Sequence, residues 1–517
     1  MTADSLLASD FATLPALIRA HATERGDKLA LVSGDGSMTY AALDAMMDQV
    51  AAALQRDGVA QRACVAICAT PSIEYGTVFL GILRAGCAAT PLSPSATGES
   101  IAAMINDSGA PIVFIDASTR DLLNGQAITA RIVDVDTAGF ADWLAPAGSA
   151  PAPVSITPDD PFNVIYSSGT TGTPKGIVQS HAMRWAHIHR NSGAGFGDAV
   201  TMLATPLYSN TTLVTFLPTL GWGGTAVIMK KFDARGFLEL AAANHATHAM
   251  LVPVQYQRIM AVPDFDRFDL SAFRLKTCTS APFSAALKAD VVARWPGLLV
   301  EYYGMTEGGG TTMLVANANP TKLHSVGVPV DGHDIRLIDD DGAEVPAGET
   351  GEVVGRSPAM MTGYHGRQDA TRAAEWFDAE GRRYIRHGDV GRFDEDGFLI
   401  LMDRKKDLII SGGFNIYPSD LEAVLAQHPD VADCTVVGVP SDAWGETPVG
   451  FYVPRTEGSD AAAIMAWTND RLGKTQRLSA LHIATELPRS AIGKVLKREL
   501  RDQLAAQPTP KSQKAAT

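Results

Sequence analysis

The sequence has few cysteines, and they form no recognisable set. Five cysteines occur among 517 residues, widely scattered. Cys64 and Cys68 lie in an apolar, strand-like run without a second pair downstream, which is not the spacing of a metal site. We therefore interpret all of them as buried free thiols in a chain that works in a reducing cytoplasm. The five are Cys64, Cys68, Cys87, Cys278 and Cys434.

Positive charge is also scarce. The 43 lysines and arginines are outnumbered by 57 aspartates and glutamates, giving a net charge of −14. Nucleic acids bind to basic surfaces, so this balance argues against a nucleic acid as the main partner. It also provides no basic patch for an anionic membrane surface.

Long apolar runs are absent as well. No stretch of about 18 consecutive apolar residues occurs, so we expect no membrane-spanning helix. The first residues, MTADSLLASDFATLPALIRA, lack a basic segment followed by an apolar one, and we expect no signal peptide. With 46% apolar residues the chain can still bury large cores, and its length predicts two or more domains.

The first part of the sequence alternates strand-like and helix-like patterns. The stretch ACVAICATPSIEYGTVFLGILRAGCAATPL, for example, is typical of strand, helix, strand. Such alternation predicts an α/β fold of mainly parallel sheets covered by helices. From Gly327 onward, short runs broken by Gly, Asp and Pro predict a small antiparallel, β-barrel-like module over 327–400.

The sequence texture changes again after the charged run Asp403–Asp407. The segment SDLEAVLAQHP predicts a helix that begins with a capping box between Ser419 and Glu422. The strands and helices predicted after it indicate a compact α+β domain. We therefore expect an N-terminal domain over 1–403, a small C-terminal domain over 404–505 and a disordered tail over 506–517.

The segment YSSGTTGTPKG, Tyr166–Gly176, concentrates glycines, hydroxyls and one lysine. We expect a strand before it, a short strand IVQ after it, and a helix N-capped by Ser180. Glycines let backbone N–H groups approach an anion closely, and Lys175 adds a positive charge. The segment does not match a P-loop, because Lys175 follows a proline and precedes a glycine. Taken alone it is also compatible with a plain surface loop.

This segment, followed by SH, resembles the signature loop of the adenylate-forming superfamily of acyl-CoA synthetases, nonribosomal adenylation domains and luciferases. Four other stretches resemble further motifs of that superfamily in the same order, so the resemblance covers nearly the whole chain. They are EYYGMTEGG at 301–309, YIRHGDVGRFDEDGF at 384–398, DRKKDLIISGGFNIYPSDLE at 403–422 and PRSAIGKVLKREL at 488–500.

The resemblance implies a reaction that joins a carboxylate to the α-phosphorus of ATP and expels pyrophosphate. It further implies ATP, Mg²⁺ and coenzyme A as cofactors or co-substrates. Lys494 should bridge the substrate carboxylate and the α-phosphate, since a cation removes the repulsion between two anions. Thr306 should contact the α-phosphate, and Glu307, with Thr170, should hold Mg²⁺.

The nucleotide site that the resemblance implies has a phosphate part, an adenine part and a ribose part. Tyr303 should stack on adenine, and the backbone of Ser280, Ala281 and Pro282 should line the other side of the adenine. Asp389, assisted by Arg404, should contact the ribose. The complete set is Ser167, Ser168, Gly169, Thr170, Thr171, Gly172, Thr173, Lys175, Ser280, Ala281, Pro282, Tyr302, Tyr303, Gly304, Asp389 and Arg404.

A second half-reaction needs access for a thiol. In the superfamily the small C-terminal domain rotates about a hinge, and Lys406 stands at the hinge position. Ser411, Gly412 and Gly413 should then line the pantetheine channel of coenzyme A. A solvated linker is the alternative interpretation of the charged run around Lys406.

An acyl pocket is expected to be mostly apolar. We predict it from Trp185, Tyr208, Ser209, Met305, Gly308, Gly309 and Met313. Trp185 has ordinary helix core as an equal alternative. Ser209 stands where many relatives carry histidine, His387 replaces a common threonine, and the glycines at 308–310 could leave space for a ring. These features favour an aromatic, arylalkanoic or medium-chain acid.

Several alternatives stay open at this stage. One alternative is a domain that loads a carrier protein, and such a domain usually continues into a carrier domain. Another is an amino-acid-activating domain, which would place an acidic residue in the segment TPLYSNTTLVTF. This segment contains no acidic residue. Luciferase-like oxidation and a catalytically altered binding paralogue are further alternatives. The presence of Lys175, Glu307, Asp389 and Lys494 argues against the last. We expect a CoA ligase that acts on a small carboxylic acid, and the resemblance is compatible with a homodimer.

Overall fold

The structure, a computed structural model, describes residues 1–34, 36–167, 174–411, 414–441, 444–456, 458–473, 476–490 and 493–506. The chain divides into two compact units. The large unit comprises Met1–Arg336 and Val354–His387, and the small unit comprises Leu337–Val353 and Gly388–Thr517. The domain boundaries at residues 403 and 505 stay predictions.

Two sheets organise the large unit. Their inner strands pair in parallel and antiparallel strands lie toward the edges, which confirms the α/β class. In the described residues the first sheet runs, in spatial order, through Val328–Pro329, Thr311–Val315, Leu298–Gly304, Leu275–Cys278, His248–Leu251, Val200–Leu203, Thr225–Ile228, Leu29–Ser33 and Gly36–Thr39. The second runs through Gly363–Tyr364, Lys175–Ser180, Pro161–Ser167, Ala88–Pro91, Cys64–Cys68, Ile112–Ile115 and Arg131–Asp134.

Helices cover both sheets, as central parallel strands require. Every residue of the strand Cys64–Cys68 is buried. The α-helices of the large unit are Ala3–Leu7, Leu14–Arg25, Tyr40–Arg56, Ile73–Arg84, Gly98–Ser108, Ala117–Leu123, Ala138–Trp143, His181–His189, Asn210–Gly221, Ala234–Ala243, Pro253–Met260, Ala285–Arg294 and Gln368–Ala373. Short 3₁₀ turns occur at Phe196–Asp198, Phe265–Arg267 and Ala316–Ala318.

The small unit is an α+β structure, as predicted. Its strands are Leu399–Arg404, Ile409–Ser411, Phe414–Ile416, Val431–Ser441, Gly445–Pro454 and Ala480–Ile483. Its helices are Pro418–Leu425, Ala461–Asn469 and Lys497–Ala506, with a 3₁₀ turn at Lys405–Asp407. The boundary between the two units falls within three strands, Asp334–Ile338, Gly351–Arg356 and Arg383–Phe393. A further strand, Glu375–Phe377, pairs with Arg383–Phe393.

The capping box predicted between Ser419 and Glu422 is wrong. The helix begins at Pro418, and its N-cap residue is Tyr417, which makes no side-chain cap. Proline suits the first helical position because it has no N–H to satisfy. Ser419 therefore lies inside the first turn and donates its hydroxyl to the Met402 carbonyl, while Glu422 accepts hydrogen bonds from distant residues of the strand Val431–Ser441.

The cysteines are free, as predicted. Four of them are buried and Cys434 is partly buried. Burial raises the pKa of the Cys68 thiol to about 12, so it stays protonated. Separately, within the described residues no helix is both long and apolar enough to cross a membrane.

Candidate active site

The two strands around the predicted phosphate loop, Pro161–Ser167 and Lys175–Ser180, form an antiparallel pair. Their register places Ser167 opposite Lys175 at the start of that loop. Ser180 accepts a hydrogen bond from the Met183 N–H and so N-caps the helix His181–His189, as predicted. The remaining predicted phosphate contacts, Ser168, Gly169, Thr170, Thr171, Gly172 and Thr173, lie outside the described residues.

Lys175 and Glu307 are linked through a residue that the sequence analysis missed, Tyr364. The Lys175 Nζ lies 5.2 Å from the centre of the Tyr364 ring, and the Tyr364 hydroxyl donates to Glu307 Oε1 at 2.9 Å. Burial and the nearby carboxylate of Glu307 raise the pKa of Tyr364, so the hydroxyl remains a donor. Tyr364 is held by pairing of its short strand with Lys175–Ser180. It lies outside the recognised motifs, and nothing in its local sequence distinguishes it.

Glu307 is a suitable residue for the implied Mg²⁺. Mg²⁺ in nucleotide enzymes is usually held by one or two carboxylates plus substrate phosphates and water, rather than by an all-protein cage. Glu307 supplies one partly exposed carboxylate, and its backbone carbonyl accepts from the Met361 N–H at 2.8 Å. In the part of the chain that the structure describes, no group of three or more His, Cys, Asp and Glu side chains could hold a metal alone. The residues present therefore fit a cation whose coordination shell is completed by phosphate oxygens.

A buried polar network supports the Thr306 backbone. Gln179 Nε2 donates to the Thr306 carbonyl at 2.6 Å. Gln179 Oε1 accepts from Asn163 Nδ2 at 2.8 Å and from Arg184. Each member is satisfied by another, as buried polar groups require. These residues could not be predicted from the sequence, because a buried amide cluster leaves no local pattern.

Arg184 is the cation at the centre of this network. Its side chain is fully buried and contacts amide oxygens of Asn163 and Asn210 at 2.9 Å each, in addition to Gln179. Burial and the charge of Arg190 lower its pKa to about 9, so it is still charged at neutral pH. Among the described residues no carboxylate pairs with it. The amide oxygens of Asn163, Asn210 and Gln179 therefore solvate its positive charge inside the protein.

Tyr303, the predicted adenine contact, is held by His387. The Tyr303 hydroxyl and His387 Nδ1 are 2.9 Å apart, and His387 Nε2 lies 2.5 Å from the Gly309 carbonyl. A carbonyl can only accept, so Nε2 carries the proton and Nδ1 accepts from the tyrosine. His387 thus helps to orient Tyr303.

Ser280, predicted to line the adenine together with Ala281 and Pro282, has a left-handed backbone with φ of 83°. Such a conformation costs a non-glycine residue on the order of 1–3 kcal/mol and occurs preferentially at functional sites. The Ser280 hydroxyl is 2.6 Å from the Thr211 hydroxyl. That contact ties the strained residue to the helix Asn210–Gly221.

The strand Leu298–Gly304, called the motif strand below, separates two faces of the site. Tyr303 is paired with Thr312, and Tyr302 is paired with Met313. Cross-strand partners share a face and neighbours along a strand point to opposite faces. Tyr302, predicted with the nucleotide contacts, therefore lies on the face of the predicted acyl residue Met313 and opposite to Tyr303.

The helix His181–His189, called the site helix below, likewise has two faces. Met183, His187 and Arg190 recur at helical spacing on one face, and Met183 and Arg190 meet the motif region. The Met183 methyl would lie 2.8 Å from a Cβ added to Gly308, and the Arg190 guanidinium carbon lies 5.9 Å from the centre of the Tyr302 ring. The sequence analysis missed all three of these residues.

Trp185 lies on the other face of the site helix. It is buried in the hydrophobic core of the large unit, 6.4 Å from the Phe11 ring and 5.7 Å from the His189 ring. This packing favours the core interpretation over the acyl-pocket prediction.

The glycines at 308–310 do not leave open space, which corrects the reason given for them. A Cβ on Gly308 would lie 1.8 Å from the Ala359 carbonyl oxygen, and one on Gly309 would lie 2.7 Å from Ile385. Gly308 also has φ of 76°, and its carbonyl accepts from the Ser357 hydroxyl at 2.7 Å. The glycines thus allow protein segments to approach each other closely.

Other predicted acyl residues have identifiable local roles. Ser209 N-caps the helix Asn210–Gly221 by accepting from the Thr211 N–H at 3.2 Å. Tyr208 is partly buried, and burial raises its pKa while bonds to Ser93 and Ser95 oppose that shift. Met305 packs beside Ile177, Met361 and Ile385. Gly304 ends the motif strand.

In the small unit, strand pairing brings the backbones of the two predicted ribose contacts next to each other. Asp389 is directly opposite Arg404 in the antiparallel pairing of Arg383–Phe393 with Leu399–Arg404. Lys406 follows in the 3₁₀ turn and is exposed. Ser411 is buried and pairs with Phe414 and Gly445. Gly412 and Gly413 lie outside the described residues.

Lys494 lies just before the last helix of the small unit rather than in it. Its N–H donates to the Ser490 hydroxyl at 3.2 Å, and its carbonyl accepts from the Ser490 N–H at 2.8 Å. Arg489 donates to the Gly493 carbonyl at 2.7 Å and to Asp433 at 2.6 Å. These bonds tie the segment that carries Lys494 to the sheet of the small unit.

Comparison with known proteins identifies the class. Residues 18–365 match the family model of AMP-binding enzymes, and residues 420–494 match the AMP-binding enzyme C-terminal domain. The chain therefore belongs to the AMP-binding, adenylate-forming enzyme family.

Individual relatives cover nearly the whole chain. It is 32% identical to 4-coumarate–CoA ligase-like 9 of Oryza sativa subsp. japonica, over 97% of this chain and 94% of the relative. It is 32% identical to a feruloyl-CoA synthase of Amycolatopsis sp, over 91% and 95% of the two chains. The ATP-bound structure of MatB from Rhodopseudomonas palustris is similar with a TM-score of 0.87 and 29% identity, covering 96% and 99%. The expected fold, with a large N-terminal and a small C-terminal domain, is thereby confirmed.

Proposed function

We propose that this chain activates a carboxylic acid with ATP and transfers the acyl group to coenzyme A. The observation that carries the proposal is the contact of Lys175, Tyr364 and Glu307 described above. It gathers a cation and a metal-binding carboxylate beside the supported backbone of Thr306. A phosphate chain and its Mg²⁺ need such a pair of groups.

In the first half-reaction a carboxylate oxygen attacks the α-phosphorus of ATP, and the bond from that phosphorus to the bridging oxygen of pyrophosphate breaks. No base is needed, because the acid is already ionised at neutral pH. Glu307, together with Thr170, would hold Mg²⁺, and the ion would neutralise phosphate charge when bound. Lys175 would pair with the departing pyrophosphate, and Lys494 is the proposed bridge between the carboxylate and the α-phosphate.

In the second half-reaction the sulfur of coenzyme A attacks the acyl carbon, and the bond to the AMP oxygen breaks. The thiol proton passes to solvent and the products are acyl-CoA and AMP. Lys406 is the proposed hinge for the mobile C-terminal domain, and Ser411, Gly412 and Gly413 are the proposed pantetheine contacts. Glycines at that place leave room for a narrow chain.

The proposed substrate is an aromatic, arylalkanoic or medium-chain acid. The face of the motif strand that carries Tyr302 and Met313, followed by Val328 in the next strand, is mostly apolar, as an acyl pocket requires. Relatives named for coumarate and ferulate support an aryl acid.

The test is a panel of acids with ATP, Mg²⁺ and coenzyme A, following AMP, pyrophosphate and acyl-CoA separately. We expect AMP and acyl-CoA in equal amounts with at least one acid. If no acid yields AMP, the ligase proposal fails. If AMP appears only when a carrier protein replaces coenzyme A, the enzyme instead loads a carrier protein.

A further inference from the structure

Arg190 is a cation that forms no ion pair with any described residue, and it lies beside the predicted acyl pocket. It follows the site helix on the same face as Met183 and His187, with its guanidinium over the Tyr302 ring at 5.9 Å. Among the described residues no carboxylate forms an ion pair with it. The side chain is exposed to solvent, yet its protein surroundings lower the pKa of its guanidinium.

The titratable neighbours of Arg190 contribute no negative charge. Burial, with the charge of Arg190, lowers the pKa of His333 to about 4 and that of His187 well below its usual value, so both rings are neutral at pH 7. The buried Nδ1 of His333 has no hydrogen-bond partner among the described residues. Burial raises the pKa of Tyr302, so its hydroxyl is also neutral. The cluster therefore has a net positive charge and unused hydrogen-bonding capacity.

The site helix gives the distance between Met183 and Arg190. Met183 meets Gly308, next to Glu307, and Arg190 lies seven residues further along the chain. At 1.5 Å of rise per residue, this separation is about 10 Å along the helix. A group bound by Arg190 would thus be separated from the reacting end of the pocket by about the length of an aryl ring with a short side chain.

We propose that Arg190 forms an anion-binding subsite at the far end of the acyl pocket, and that the preferred acid carries a second carboxylate there. This inference rests on the proposed ligase function. A planar guanidinium binds a carboxylate through two parallel N–H···O bonds, which a neutral substrate tail cannot accept in the same way. The apolar face at Tyr302 and Met313 would hold the part of the substrate between the two carboxylates.

The test compares three acids that share one frame and differ only in the para substituent, 3-phenylpropionate, 3-(4-hydroxyphenyl)propionate and 3-(4-carboxyphenyl)propionate. AMP formation gives kcat/KM for each acid with the wild type, Arg190→Gln and Arg190→Lys. Arg258→Gln is the control, since it removes an exposed arginine of the large unit on another helix. We expect the wild type to prefer the diacid by about 10-fold or more, the gain typical of one charge-assisted contact.

Arg190→Gln should abolish that preference while leaving KM for ATP unchanged, and Arg190→Lys should retain part of the preference. If Arg190→Gln does not fold, the preference for the diacid is compared between Arg190→Lys and Arg258→Gln. A lower preference in Arg190→Lys supports the inference, and an equal preference overturns it. A preference that is equal in all variants, or a preference for the hydroxyl acid that depends on Arg190, would overturn the inference and leave the ligase function intact. If none of the three acids and no other acid yields AMP, the ligase function fails first and this inference with it.

Discussion

At the scale of single residues, the side chain with the most informative contacts is Tyr364, which lies between Lys175 and Glu307. We predict that Tyr364→Phe keeps the ring under Lys175 and removes the hydrogen bond to Glu307, so that the carboxylate is less well oriented for Mg²⁺. A loss of about 1 kcal/mol in the free energy of Mg²⁺ binding corresponds to a roughly fivefold higher Mg²⁺ concentration for half-maximal adenylation. ATP–pyrophosphate exchange against Mg²⁺ concentration measures it.

Tyr384→Phe is a matched control, because Tyr384 donates to Asp334 rather than to Glu307. An unchanged Mg²⁺ dependence in Tyr364→Phe would mean that the hydrogen bond does not position the metal ligand.

His387 supports a second prediction at this scale. His387→Phe should keep a ring beside Tyr303 but lose the acceptor for its hydroxyl. We expect KM for ATP to rise by about 3- to 10-fold with a small change in kcat, because the predicted adenine contact loses its orientation. If kcat falls while KM for ATP stays constant, Tyr303 does not contact the nucleotide.

At the scale of elements, a buried histidine of the site helix makes the free energy of unfolding depend on pH. Burial against Phe162 lowers the pKa of His181 to about 4, and the charge of Asp160 opposes this only partly. The unfolded pKa of histidine is near 6.5, so the stability contributed by the neutral ring is fully present above pH 6.5 and is lost as the pH falls toward 4. The loss is on the order of 3 kcal/mol at most.

The urea midpoint, measured between pH 7 and pH 4.5, should therefore fall less steeply for His181→Gln than for the wild type. His189→Gln, which changes an exposed histidine of the same helix, should leave the slope unchanged. Equal slopes in all three proteins would contradict the assignment.

The elements also show what sequence reasoning can and cannot reach. The strand Pro161–Ser167, the second strand and the Ser180 cap follow from local pattern, and the structure contains them. The capping box at Ser419 was wrong because Pro418 begins the helix and distant partners take both side chains. Tyr364, Gln179 and Arg184 could not be predicted, since their contacts join residues far apart in sequence.

Glycines illustrate the same limit. A run of three glycines suggested room for a substrate, but a missing side chain can equally admit another backbone. The approach of the Ala359 carbonyl to Gly308 decides between these two possibilities, and only the tertiary structure contains it.

At the scale of the whole molecule, the two half-reactions should depend on different residues. Lys494→Ala should lose adenylation by two or more orders of magnitude, because the carboxylate and the α-phosphate then meet without a cation. It should still convert a synthetic acyl-adenylate and coenzyme A to acyl-CoA. Lys497→Ala, which removes a lysine paired with Glu422, is the control for charge in the same segment. Equal loss of both half-reactions would contradict the role of Lys494.

The most direct measurement follows oxygen from the acid. The enzyme is given an acid labelled with ¹⁸O in both carboxylate oxygens, together with ATP, Mg²⁺ and coenzyme A, and the AMP is analysed by mass spectrometry. An acyl-adenylate intermediate transfers one carboxylate oxygen to phosphorus, so each AMP should carry one ¹⁸O for each acyl-CoA formed. Unlabelled AMP, or the release of ADP and phosphate instead, would contradict the proposed chemistry.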